Sequence, residues 1–158
     1  MLRPAVWDVP VRCAKADQEM LTRPSAGLGT RLVPLIRQLL GEDLLERPAD
    51  LRDHEVFQVP CGLEIRPHIA PGHTPGSTLL EVGDDTGKVL LTGDVIFRGT
   101  IGRTDLPGGD LEQMRITLRR IVETFPDETV LLPGHGEPTT VGTEKLHNPY
   151  LQADFLKD

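Results

Sequence analysis

The sequence predicts an α/β layered domain, and three observations carry that prediction. Short apolar runs of strand length fill the middle of the chain, helical spacing appears over residues 31–40 and again after Asp110, and Gly and Pro fall between elements instead of forming linkers. At 158 residues the chain fits one domain, 1–158, long enough to bury a core without disulfide or metal staples. Hydrophobic content of 38% and charged content of 26% argue against disorder. The formal charge of −7, with no clustered Lys or Arg, argues against a nucleic-acid partner.

Taken in order, Val6 to Ala14 reads as a strand that Pro10 breaks or pushes to an edge. Residues 31–40 (RLVPLIRQLL) read as a helix with Pro34 near its first turn. Val56 to Val59 is a short strand. Leu63 to Ala70 alternates, with Leu63, Ile65 and Ile69 on one face and Glu64, Arg66 and His68 on the other. Ser77–Val82 and Lys88–Thr92 pair as a hairpin across GDDTG, where Gly83 and Gly87 tolerate positive φ. Asp110 is an N-cap and Gln113 completes a capping box; Leu111, Met114, Leu118, Ile121, Val122 and Phe125 then mark one apolar helix face. Thr129 to Leu132 is a short buried strand, with a helix from about Val141.

Three places share one local grammar. An apolar run ends at Gly and the next residue can ligate a metal: His73 in PGHT, Asp94 in LTGD and His135 in LPGHG. Gly lets the backbone turn sharply there, and strand ends along one sheet edge are where layered α/β folds gather their sites. Imidazole and carboxylate donors suit zinc or iron. Each feature alone is weak, because a His near a turn is commonly structural and Gly-Asp is a common turn.

PGHTPGS, LTGDVIFRGTIGRTDLPGGD and LLPGHGEPTTVGTEKLHNPYLQ, in that order, resemble consecutive blocks of the metallo-β-lactamase superfamily. Within it they are most similar to the single-domain, glyoxalase II-like (hydroxyacylglutathione hydrolase-like) hydrolases of bacteria. The resemblance runs from about Val9 to the end of the chain. It implies that His73 ligates a first metal, His135 a second, and that Asp94 bridges them. An Asp in that place, where the class B β-lactamases that use a Cys carry one, points away from antibiotic hydrolysis. The metal so implied is zinc, with iron or manganese as alternatives.

Members of this family also carry an HxHxDH block near the N-terminus, and this sequence has none. Its five His are His54, His68, His73, His135 and His147. The stretch from Asp8 to Arg23 resembles the family segment C-terminal to that block. The resemblance therefore implies the C-terminal part of an αββα sandwich, truncated at its N-terminus, with the first strands and helix missing. Three donors fall short of a dinuclear centre, and zero or one metal is expected.

The implied reaction is attack of metal-activated water on an acyl thioester such as S-lactoylglutathione, giving a hydroxy acid and a free thiol. No residue in the sequence selects glutathione over another thiol. Arg98 and Arg103, in the loop after Asp94, are candidates for a substrate carboxylate. The simpler reading pairs Arg103 with Asp105, and it is preferred for Arg103 and more strongly for Arg98. The RGTIGRTD stretch is also similar to an RGxGRTD stretch of persulfide dioxygenases, the enzymatic alternative, whereas PGHG and NPYL favour a hydrolase. His68 is expected outside the metal shell, His54 in a solvated turn, His147 at a helix end that fixes the C-terminus, and Cys61 in a hairpin turn.

Two lone thiols, no secretory-type apolar run and no membrane-length apolar stretch imply the cytoplasm and no membrane partner. Besides a truncated hydrolase, the sequence leaves open a metal-poor, non-catalytic binding remnant, or completion of the site by a second chain. Losing the first strands would leave a sheet edge and an apolar face open to self-association.

Overall fold

The computed structural model describes residues 10–23, 25–29, 32–40 and 51–157. Strand β1 (Val11–Arg12) leads through a 3-10 turn (Lys15–Asp17) into helices α1 (Gln18–Thr22), α2 (Ser25–Leu28) and α3 (Val33–Leu40). Then come β2 (Leu51–Arg52), β3 (Phe57–Gln58), β4 (Glu64–Ile69), β5 (Thr78–Gly83), β6 (Lys88–Gly93), β7 (Ile96–Phe97) and β8 (Thr100–Ile101). Helix α4 (Leu111–Thr124), β9 (Val130–Pro133), β10 (Thr139–Thr140), α5 (Val141–His147), a 3-10 turn (Pro149–Leu151) and α6 (Ala153–Leu156) complete the chain. Residues 6–9 of the first expected strand and Arg31 of the expected helix lie outside the described residues, whereas Pro34 sits in the first turn of α3, as its fixed φ requires.

Six strands form the main sheet in the order β10-β9-β6-β5-β4-β3. All neighbours are antiparallel except β6 and β9, which run parallel, with α4 lying in the crossover between them. Antiparallel steps from β4 to β5 and from β5 to β6 leave β4, β6 and β9 pointing the same way. Their C-terminal ends therefore share one edge of the sheet.

Residues in register share a face, which divides the sheet cleanly. Leu79, Leu90 and Leu131 pack with Met114, Leu118 and Ile121 of α4 into the buried core. His68, in register with Leu79, lies on this side with its ring edge-on to Phe125 at 5.2 Å. The opposite face carries two continuous apolar rows: Phe57, Ile65, Val82, Val89 and Val130, then Pro67, Leu80, Leu91 and Leu132. On this second side Leu91 is 37% exposed and Ile69 45% exposed. The β4 alternation thus splits as expected, but it is the polar-looking face that meets the helix.

Local chemistry explains the element ends. Asp110 accepts from the Gln113 amide at 3.0 Å and starts α4, though Leu111 at its head is exposed. Thr140 caps α5 through the Thr143 amide at 3.1 Å. In the β5–β6 turn the Asp84 carboxylate accepts from the Thr86 and Gly87 amides at 2.7 and 3.3 Å. Neither Gly83 nor Gly87 takes positive φ there. Gly83 is required for space instead, since a Cβ would stand 2.2 Å from the Gly87 carbonyl oxygen.

A buried carboxylate ties the C-terminal helices to the β7–β8 hairpin. Glu144 accepts from Thr139 Oγ1 at 2.6 Å, the Gly99 amide at 2.8 Å and Asn148 Nδ2 at 2.8 Å. Asn148 Nδ2 also reaches the Thr100 carbonyl at 3.1 Å, and its Oδ1 caps the following turn at the Tyr150 amide. His147 is exposed, so the C-terminal fixing expected of it falls to Asn148.

Candidate metal centre

Each of the three Gly-ligand pairs follows one of the co-directional strands, and each Gly is needed for its own reason. Gly72 has φ +146° and runs so close to α4 that a Cβ would lie 2.7 Å from the Met114 Cα. Gly93 turns the chain out of β6 with φ +49° and delivers Asp94. At Gly134 an added Cβ would fall 2.5 Å from Asp94 Oδ1, so only Gly lets the His135 loop approach that carboxylate.

The result is convergence on one atom. His73 Nε2 stands 3.8 Å from Asp94 Oδ2, and His135 Nε2 stands 3.4 Å from the same oxygen. His73 Nδ1 donates to the Arg103 carbonyl at 2.8 Å. That bond fixes the tautomer of the neutral ring and turns the Nε2 lone pair toward Asp94. A lone pair facing a carboxylate is unfavourable unless a proton or cation lies between them, and 3.8 Å is too long for a direct hydrogen bond.

One of the two donor spacings is that of a pair of ligands on one metal. Two ligands each about 2.1 Å from a tetrahedral metal stand roughly 3.4 Å apart. The His135–Asp94 separation matches this edge, and the His73–Asp94 separation is somewhat wider. Among the described residues no group of three or more His, Cys, Asp or Glu side chains stands close enough together to hold a metal as placed. The three donors face one another across a wider gap than a bound metal would leave at His73, and His135 is largely exposed at 77%.

Beside His135 lies a shallow cavity of about 380 Å³ lined by Phe97, Arg98, Thr100, His135, Gly136 and Glu137. Phe97 and His135 face each other with ring centroids 6.1 Å apart. Arg98 and Glu137 close one rim through an ion pair at 2.5 Å.

Arg103 grips Asp105 bidentately, Nε to Oδ1 at 2.8 Å and Nη2 to Oδ2 at 2.7 Å. The guanidinium bonds hold the Asp105 carboxyl down to about 2. Arg103 thus has the Asp105 partner that the simpler reading gave it, Arg98 pairs with Glu137, and Arg103 also serves His73 through its backbone, which no side-chain pattern in a sequence announces.

Of the remaining histidines, His68 has partners of its own. His68 Nε2 bonds Glu81 at 2.8 Å, and Lys88 reaches the other Glu81 oxygen at 2.7 Å. Burial pushes the Glu81 carboxyl up, but bonds from Lys88 and His68 outweigh it and leave the group below its usual value. His54 is half-buried, not fully solvated, and burial lowers its pKa against the opposing pull of Asp53. Cys61 is exposed in the β3–β4 turn, as expected.

The sequence profile described as the Metallo-beta-lactamase superfamily matches residues 4–135. A probable metallo-hydrolase of Bacillus subtilis, YqgX, is 36% identical across 95% of this chain and 67% of its own length. The Haemophilus influenzae hydroxyacylglutathione hydrolase GloC is 44% identical across 52% of this chain and 38% of its own length. Against the 37% identical uncharacterized mycobacterial relatives, the chain spans 65% of their length. Among solved structures, the BLEG-1 B3 metallo-beta-lactamase superposes with TM-score 0.72 at 28% identity, covering 94% of this chain and 68% of its own. TTHA1623 in a di-iron-bound form superposes with TM-score 0.64 at 31% identity, covering 93% and 67%. With the site geometry, these matches give one conclusion: the chain belongs to the metallo-beta-lactamase superfamily.

Proposed function

We propose that this chain carries the hydrolytic site of a glyoxalase II-like thioesterase, cleaving an acyl thioester such as S-lactoylglutathione to a hydroxy acid and a free thiol. The observation that carries the reading is the meeting of His73 Nε2 and His135 Nε2 at Asp94 Oδ2. The likeness to a hydroxyacylglutathione hydrolase over half of the chain supports the choice of thioester. His73, Asp94 and His135 would hold one metal, zinc or iron in preference to manganese, since imidazole nitrogens make up two of the three donors. When bound, such a metal supplies Lewis acidity, polarising a carbonyl and bringing water toward hydroxide near neutral pH.

The protein's own groups set the geometry. The Arg103 carbonyl orients His73, and Gly134 admits the His135 loop against Asp94. The cavity walled by Phe97 and Thr100 receives one arm of the thioester beside His135. Two nitrogens of Arg103 are engaged by Asp105, which leaves Nη1 to meet a substrate carboxylate at the mouth. Both cysteines are unpaired, in keeping with a reducing, cytoplasmic setting.

The test is thiol release from S-lactoylglutathione by the zinc- or iron-loaded chain, with Asp94→Ala as the control. Release that Asp94→Ala lowers at least a hundredfold is expected. A metal-loaded chain that releases no thiol, or an Asp94→Ala chain that matches it, overturns the assignment. Oxygen uptake with a persulfide in place of thioester cleavage would move the reading to the dioxygenase.

A further inference from the structure

The loop that carries His73 is held from far away in sequence. Asp17 ends the 3-10 turn before α1, in the N-cap place, yet its side chain accepts nothing from its own helix. Both oxygens instead cross to the PGHTPGS loop. Oδ2 accepts from Thr74 Oγ1 at 2.5 Å and Oδ1 from the Gly76 amide at 2.7 Å. An Asp in this place normally caps its own helix, so the diversion spends a local cap on a distant loop.

The loop is shaped to receive it. A Cβ on Gly76 would lie 2.6 Å from Asp17 Cγ and 2.9 Å from the Ala14 Cβ, so only Gly lets the carboxylate seat. Thr74 Oγ1 also meets Ser77 Oγ at 2.8 Å, and the Thr74 amide donates to that same Ser77 Oγ at 2.9 Å. On the other side of His73, the Gly72 carbonyl accepts from the Asp110 amide at 2.8 Å. His73 thus hangs between two pinned neighbours, and Asp17 is the pin on its C-terminal side. The Asp17 segment is itself anchored, with Gln18 Nε2 on the Cys13 carbonyl at 3.2 Å and the Lys15 amide on Asp53 at 3.3 Å.

We infer that Asp17 is a positioning residue for the metal centre: its two hydrogen bonds to Thr74 and Gly76 fix the rotation of the loop and so the aim of His73 Nε2. Its consequence for metal rests on the proposed function, whereas its consequence for the imidazole does not. Groups that orient metal-ligating histidines typically contribute about 10–100-fold in metal affinity.

The experiment uses the full chain in two states. In the metal-free protein, nitrogen-15 NMR of the His73 ring reads its tautomer directly. Wild type is expected to show a single Nδ1–H form, and Asp17→Asn and Thr74→Val an averaged mixture, with Thr74→Ser restoring the wild-type pattern. In cobalt titrations followed by d–d absorbance, Asp17→Asn is expected to bind about 10–100-fold more weakly while its far-ultraviolet spectrum is unchanged. An unchanged His73 tautomer in folded Asp17→Asn and Thr74→Val overturns the inference. So does unchanged cobalt affinity where wild type binds cobalt. Wild type that binds no cobalt overturns the metal reading, and the ring signal alone then decides the role of Asp17.

Discussion

At the scale of single residues, the centre depends on aim more than on donor count. His73 is aimed by a backbone carbonyl, so removing the Arg103 side chain should leave that aim intact. Arg103→Ala is expected to change cobalt affinity by less than about twofold, whereas removing a true orienting group costs about 10–100-fold. The same substitution should release Asp105 from about 2 toward the ordinary carboxylate value, read by NMR titration of its side chain. The sign is fixed: a depressed Asp keeps the pair ionised as pH falls, until the pH approaches that folded value. An Asp105 that titrates unchanged in Arg103→Ala would show that the pair is not its cause. His73, Asp94 and His135 were legible in the sequence because each follows a Gly at the end of an apolar run. The Arg103 carbonyl was not legible, since every residue has one, and nothing around Asp17 in the sequence ties it to a loop more than fifty residues away.

At the scale of elements, buried and half-buried carboxylates set the contacts. Glu144 gathers three donors from β10, the hairpin after Asp94 and the residue after α5. Replacing it with Ala takes the acceptor away from the buried Thr139 hydroxyl and the buried Asn148 amide group. Glu144→Ala is expected to cost about 2–4 kcal/mol in urea unfolding; a loss below about 0.5 kcal/mol would show that water replaces the carboxylate freely. The Glu81 ladder behaves differently, being closer to the surface. Its carboxyl sits below the ordinary value, so its contribution is present above the usual glutamate range and fades as pH falls through the lower folded pKa. Melting temperature should therefore fall more steeply with acid in wild type than in Glu81→Gln, and parallel curves would contradict this. Helix α4 was readable from its cap and spacing. The faces of β4 were readable as a split but not as a side, because the helix meets His68 through a ring contact with Phe125.

At the scale of the whole molecule, the sheet has one face packed on α4 and a second that carries two apolar rows. Both edge strands, β3 and β10, are only two residues long, so the face is a broader apolar surface than either edge. We expect concentration-dependent self-association of this chain in sedimentation velocity, weakened by Leu91→Lys, whose side chain lies on the open rows. A monomer at every concentration would contradict that expectation. Among the described residues no helix is long and apolar enough to cross a membrane. The sandwich family was legible from three blocks in order. The side on which the helices lie was not, since alternation marks faces without saying what covers them.

Metal content per folded chain tests most directly whether His73, Asp94 and His135 together hold a metal. Elemental analysis after gel filtration of zinc-loaded protein should find about one metal in wild type, with little left in Asp94→Ala or His135→Ala of unchanged circular dichroism. Folded wild type without metal, or equal metal in wild type and Asp94→Ala, would contradict it.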